Sequence, residues 1–245
     1  MIAAAFTVES SRLGTRYHVQ VDSPGSPPDG SGPLSAVLFM DGDDQFRFAV
    51  EAATAARAAG EIPPVLLVGV GYGASYTKPG NKRLRDYTPT TLATEPESGG
   101  ADAFLAFLTG TLWAELARRF PLREDVRGIA GHSLGSLLAM HALFQRQPFF
   151  NRCLASAPSL WWDDRALLCS AQNLQRTGAR LPARLFLGVG EADTPSMTGD
   201  LELLERQLEA LPFPQLEVMS RRFPDRDHYN VLPDAFREGL KVLFG

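Results

Sequence analysis

The chain has 245 residues, a formal net charge of −4 and 44% hydrophobic residues. That length suits one α/β domain over residues 1–245 with a substantial core, and the slight acidic balance leaves no basic footprint for nucleic acid or an anionic membrane surface. No apolar run approaches the ~20 residues of a membrane span, residues 1–6 lack the basic and apolar regions of a secretory leader, and the expected location is cytoplasmic.

In chain order, residues 4–22 read as two strands around a turn at Leu13-Gly14-Thr15. Residues 23–33 form a Pro/Gly/Ser loop. Residues 36–40 are a buried-type strand running into Asp41-Gly42-Asp43. An Ala-rich helix is predicted over 46–59, stopped at Gly60. Another apolar strand follows at 65–70. Residues 71–100 are polar and show no period; so long a stretch in a compact domain is usually functional or mobile. Residues 103–120 are amphipathic, with Phe104, Phe107, Leu108, Leu112 and Leu116 at helical spacing. A strand at 126–130 and a helix at 134–145 come next. The remaining strands are expected at 152–156, 184–189 and 215–223, with helices at 198–211 and 233–244. A loop carrying Trp161-Trp162 follows the first of these strands. Strand and helix alternate from residue 36 onward. That predicts an α/β fold: a mostly parallel sheet with helices on both faces and an antiparallel N-terminal hairpin. Active sites in such sheets lie beyond the carboxyl ends of the strands.

Between the predicted strand at 126–130 and helix at 134–145 stands Gly131-His132-Ser133-Leu134-Gly135. The pattern G-x-S-x-G alone arises by chance on the order of 0.1 times in a chain of this composition. Its strand-before, helix-after setting removes most such matches and points to a nucleophile elbow. Glycines let the sharp turn close, and the helix N-terminus aims free N–H groups at developing negative charge. The alternative is an ordinary tight turn with a helix-capping serine.

A serine hydroxyl needs a base, and the chain has four histidines. His18 lies in the hairpin, His132 adjoins Ser133 and should point elsewhere, and His141 sits too far along the helix to fold back. His228 remains, in the polar loop 225–230 between the last strand and the last helix, where an α/β-hydrolase keeps its base. The orienting acid should follow the strand at 184–189, where Asp193 is the first candidate and Glu191 the second. Either carboxylate could instead cap the next helix. For the oxyanion, the N–H of Leu134 supplies one donor and that of Asp43 the second. Asp41-Gly42-Asp43 also reads as a plain turn.

Five segments occur in order: Asp41-Gly42-Asp43; Arg85-Asp86-Tyr87-Thr88-Pro89; the elbow; Ser156-Ala157-Pro158-Ser159-Leu160-Trp161-Trp162; and Asp227-His228-Tyr229. Together they resemble the α/β-hydrolase family that contains esterase D, feruloyl esterases, mycolyl transferases and siderophore-releasing esterases. The second and fourth segments are most similar to the siderophore branch. The resemblance covers nearly the whole chain. It implies a serine carboxylesterase with Ser133 as nucleophile and His228 as base, acting on a small-molecule ester without a cofactor. Relatives that use a Ser–His dyad leave the acid open. Gly135-Ser136 departs from the Gly-Gly common in the family. Acyl transfer to an alcohol, or binding without turnover, are the competing activities on this fold.

The basic cluster Lys78, Lys82, Arg83 and Arg85 reads either as a solvated loop or as a contact for an anionic substrate, with Arg85 the expected substrate residue. Trp161 and Trp162 are expected either to wall a substrate pocket or to pack in the core. Gly69-Val70-Gly71-Tyr72-Gly73-Ala74 fits a dinucleotide fingerprint, but no helix pattern follows it. Four scattered histidines and Cys153 and Cys169 suggest no metal site and no disulfide framework. Cys153, in a predicted strand, reads as a small core residue. The oligomeric state has no signature in the sequence.

Overall fold

Two antiparallel strands, β1 (Ala4–Ser10) and β2 (Thr15–Asp22), open the chain and pair with each other, and β2 pairs antiparallel with β4 (Val65–Gly71). All other neighbours are parallel: β3 (Leu34–Phe39), β5 (Leu122–His132), β6 (Arg152–Ser156), β7 (Ala183–Gly190) and β8 (Leu216–Phe223) complete one sheet in the order β1-β2-β4-β3-β5-β6-β7-β8. This is the mostly parallel α/β-hydrolase sheet with its antiparallel hairpin at one edge. The computed structural model describes residues 4–25 and 32–245. Most of the Pro/Gly/Ser stretch 23–33, and half of the 1–6 segment read for a leader, lie outside the described residues.

The helices are α1 (Gly42–Ala58), α2 (Arg83–Tyr87), α3 (Ala101–Phe107), α4 (Trp113–Arg119), α5 (Leu134–Leu143), α6 (Trp162–Arg176), α7 (Pro195–Ala210) and α8 (Leu232–Phe244). The period of two in the buried strands divides the core. Val37, Phe39, Leu67, Leu154 and Phe186 face α1 and α8, where Phe46, Ala49, Ala53, Phe236 and Leu240 meet them. Their neighbours Leu38, Val68, Ile129, Ala155 and Leu187 face the other side, against Phe104, Leu112, Leu137 and Leu204. Strands covered on both faces read as continuous apolar runs, and that is why they are visible in the sequence.

Several boundaries differ from expectation. The predicted helix 103–120 is two α-helices joined by a π-helical segment, Leu108–Leu112. Its wider turn keeps Leu108, Leu112 and Leu116 all buried. Helix α1 begins at Gly42, directly after Asp41, whose φ is 55°. A Cβ at position 42 would strike the backbone of Gly69 and Val70, so the tight strand-to-helix entry requires glycine there. The loop with Trp161-Trp162 runs straight into α6, an element hidden by the acidic start of its sequence. The long stretch 71–100 contains α2 and turns fixed by hydrogen bonds to α1. Gly69 and Gly71 are packing glycines: a Cβ on either would collide with Phe46 or the Asp43 carboxylate. No helix follows Gly73 that could receive a pyrophosphate.

Candidate active site

Ser133 lies between β5 and α5 with φ 57° and ψ −122°, a conformation that costs an L residue of the order of 1–3 kcal/mol. The glycines around it have steric reasons. A Cβ on Gly131 would overlap the Gly135 carbonyl, and one on Gly135 would press on Met40 and Asp41. Ser136 is fully buried. Its hydroxyl lies 2.7 Å from both the Gly131 and the Ser156 carbonyls and ties β5 to β6 beneath Ser133. The Ser133 N–H donates to the Ser156 carbonyl at 3.0 Å, and its carbonyl accepts from the Ser159 N–H at 3.3 Å. The turn is thus held from both sides of its backbone.

The acid loop after β7 and the histidine loop after β8 are fastened to each other by main chain. Glu191 N–H donates to the Phe223 carbonyl at 3.0 Å and Ala192 N–H to the Arg226 carbonyl at 2.9 Å. Gly190 permits this approach, since a Cβ there would overlap the Arg226 carbonyl. In consequence the Asp193 carboxylate, fully buried, meets His228 Nδ1 at 2.9 Å, while its other oxygen accepts the Thr194 N–H at 2.7 Å. Glu191 faces solvent. The histidine loop has its own internal lock: Asp227 accepts the N–H groups of Tyr229 and Asn230 at 2.9 Å, and Asn230 accepts the Asp227 N–H at 2.7 Å.

Ser133 and His228 line one cleft of about 500 Å³, together with Asp44, Gln45, Phe48, Tyr76, Arg83, His132, Tyr229 and Leu232. Asp43 sits in the first turn of α1, where backbone N–H groups have no partner within the helix. Its carboxylate turns toward the loop after β4 and accepts the N–H groups of Tyr72 and Gly73. Leu134 opens α5 directly after Ser133, likewise in a first helical turn.

Three expected substrate residues sit elsewhere. Arg85 is committed to the hairpin: Nε donates to Asp86 at 2.7 Å and the remaining nitrogens to Leu13, Thr15 and Tyr17. Trp162 is buried, its indole N–H donating to Thr90. Trp161 is 42% exposed beside it, and neither tryptophan lines the cleft. Of the basic cluster, Arg83 is the member in the cleft. It is held bidentately by the buried Asp41 at 2.8 and 2.9 Å and lies over the rings of Tyr76 and Tyr87. One-residue steps along a short helix decide which arginine faces the site, and a loop sequence carries no period that could show it.

His132 was the histidine that elbow geometry alone set aside. Its ring is buried and lies 4.6 Å from the His228 ring, with Nδ1 at 3.0 Å from Ser156 Oγ. Burial, reinforced by His228 and Arg83, pushes its pKa down to about 3, so it remains neutral beside the other imidazole. His141 instead pairs with Asp102 at 2.7 Å. Cys153 is buried, and both cysteines are free. Among the described residues, no group of three or more His, Cys, Asp or Glu could hold a metal ion, and no helix is long and apolar enough to cross a membrane.

The family model described as "Putative esterase" matches residues 10–211. Among curated proteins, the chain is 36% identical over 180 residues to the siderophore triacetylfusarinine C esterase of Aspergillus fumigatus, covering 70% of this chain and 61% of that protein. It is 26% identical over 254 residues to the ferri-bacillibactin esterase BesA of Bacillus subtilis, covering 95% and 86%. Among solved structures, the BES protein from Bacillus cereus superposes with a TM-score of 0.86 at 27% identity, over 99% of this chain and 94% of that one. The siderophore hydrolase EstB from Aspergillus nidulans gives 0.83 at 26% identity, over 97% and 93%. The chain spans about three fifths (61%) of the length of the Aspergillus fumigatus relative.

Proposed function

The chain belongs to this esterase family, and from that premise we propose that it is a carboxylic ester hydrolase in which Ser133, His228 and Asp193 form the reacting triad. The carrying observation is the buried Asp193 carboxylate 2.9 Å from His228 Nδ1, with His228 and Ser133 on one cleft. The carboxylate keeps the ring proton on Nδ1 and leaves Nε2 free to accept. Ser133 Oγ attacks the ester carbonyl carbon as its proton passes to Nε2. Charge gathers on the former carbonyl oxygen, where the N–H groups of Leu134 and Asp43, each in the first turn of a helix, serve as donors. Collapse expels the alcohol, which takes the proton from Nε2. Water then repeats the sequence on the acyl-enzyme and frees the acid.

For the substrate, the cleft presents aromatic faces at Phe48, Tyr76 and Tyr229 and a carboxylate at Asp44, while Arg83 is already neutralised by Asp41. Those walls suit an ester whose bulk is flat or apolar. The relatives named for siderophore esters support that class. The test is a panel of a tricatecholate lactone, a hydroxamate siderophore ester and simple aryl and acyl esters, run on the wild type and Ser133→Ala. Wild-type turnover, with loss of both hydrolysis and fluorophosphonate labelling in Ser133→Ala, is expected. Undiminished hydrolysis by Ser133→Ala would remove the proposal.

A further inference from the structure

The hydroxyl of Ser159 is fully buried, and its one side-chain hydrogen bond among the described residues is to the hydroxyl of Ser133, Oγ to Oγ at 3.2 Å. The loop that carries it, between β6 and α6, is drawn onto the elbow. Ser156 accepts from the Ser133 N–H, Ser159 N–H donates back to the Ser133 carbonyl, and Ala157 N–H anchors the loop to the Gly188 carbonyl at 2.7 Å. Ala157 holds a left-handed φ of 41° to make this path, a conformation that disfavours a residue with a Cβ. The polar side chain delivered by that path reaches one partner, the oxygen that attacks the ester.

We propose that Ser159 is a second hydroxyl of the reaction centre, donating a hydrogen bond to Ser133 Oγ through the catalytic cycle. This rests on the reading of Ser133 as nucleophile. The direction of the bond follows from proton supply. Ser133 has one proton, and it must go to His228 Nε2 for the attack to proceed. Among the described residues the Ser159 hydroxyl has no other acceptor, so its proton is the one shared between the two oxygens. That bond fixes the rotamer of Ser133 and leaves one lone pair of Oγ for the carbonyl carbon. As Oγ gives up its proton it gathers negative charge, and a donated hydrogen bond strengthens with that charge. In deacylation the Oγ–carbon bond breaks and its electron pair returns to Oγ, which recovers a proton from His228. The Ser159 donor assists the same oxygen as it leaves. Because the donor is buried and fixed, no water needs to be recruited to this position.

The test uses the full chain with Ser159→Ala and Ser159→Cys. Cysteine keeps the side-chain size but is a weak donor. Both variants should lose about tenfold or more in kcat and in the rate of fluorophosphonate labelling, with KM and Tm close to wild type. Wild-type rates in Ser159→Ala overturn the proposal. So does full restoration by Ser159→Cys, which is the signature of a packing role. If the alanine variant does not fold, the cysteine variant carries the test alone. Ser133→Ala is measured alongside. Labelling that survives in Ser133→Ala removes the nucleophile itself, whereas an inert Ser133→Ala with unimpaired Ser159 variants removes only the second hydroxyl.

Discussion

Replacing Asp193 with asparagine exchanges one carboxylate oxygen for an NH₂ group and should silence the site through proton placement. One Asp193 oxygen accepts the Thr194 N–H at 2.7 Å and the other faces His228 Nδ1 at 2.9 Å. In asparagine one of those positions becomes an NH₂. The Thr194 amide is a fixed donor and holds the carbonyl oxygen on its own side, so the NH₂ turns to the histidine. Nδ1 must then accept, and the ring proton moves to Nε2, where it blocks transfer from Ser133. Reaction proceeds only through the disfavoured tautomer and an imidazolium without its counter-charge. The Asp193 carboxylate is fully buried and the His228 ring only 20% exposed, so water cannot supply either deficit. The expected loss in kcat is of the order of 10³–10⁴, or about 4–5.5 kcal/mol of transition-state stabilisation. It is measured as kcat and KM on p-nitrophenyl acetate, with thermal unfolding to establish that the variant is folded. KM should change little. The solvent-facing Glu191→Gln, made in parallel, should retain the wild-type rate. A folded Asp193→Asn within tenfold of wild type, or a Glu191→Gln that loses activity, would refute the assignment of the acid.

Two other outcomes follow from the surroundings of the site. His132 carries a folded-state pKa of about 3 against an ordinary 6.5. Between those values the unfolded chain holds a proton that the folded one does not. Its contribution to stability is therefore complete above pH ~6.5 and declines as pH falls toward ~3, by up to about 1.4 kcal/mol per unit. Urea unfolding of wild type and His132→Gln across pH 4–7 should show a flatter dependence in the variant, and identical slopes would count against it. Arg83→Met strips the bidentate partner from a fully buried Asp41 carboxylate. A loss of roughly 3–5 kcal/mol is expected in urea unfolding. Asp41→Asn combined with Arg83→Met should recover much of that loss, and a single variant as stable as wild type would show that the pair is not a buried ion pair in solution.

How much of this was legible in the sequence differs from element to element. The strands β3 to β7 are short apolar runs bounded by glycines and polar turns, and local pattern suffices to find them. The elbow was visible because sterics demand small residues at Gly131 and Gly135 wherever a strand turns this sharply into a helix. Helix α6 was not, because its apolar stripe begins only after Asp163-Asp164-Arg165, residues with left-handed φ. The π-helical segment within 103–120 was hidden for a related reason: it shifts the helical phase by a fraction of a turn, which apolar spacing does not resolve.

The residues of the site divide along the same line. Ser133 and His228 could be singled out from chain order and from the scarcity of histidines, both properties of a one-dimensional string. Asp193 ranks before Glu191 as a sequence candidate, but both follow the same strand by a few residues and the sequence does not decide between them. Their difference arises only when β8 lies beside β7 and the Arg226 carbonyl closes on Gly190, turning one carboxylate inward and the other to solvent. Arg83 and Arg85 are distinguished in the same way, by which side of a short helix meets Asp41 and which meets the hairpin. His132, Ser136 and Ser159 gain their partners across strands far apart in the chain. Local sterics and residue chemistry are written in the sequence and are enough to single out Ser133 and His228 as the proposed nucleophile and base. Which acid, which arginine and which hydroxyls stand near them depends on distances between segments 20 or more residues apart, and only packing of the sheet brings those into existence.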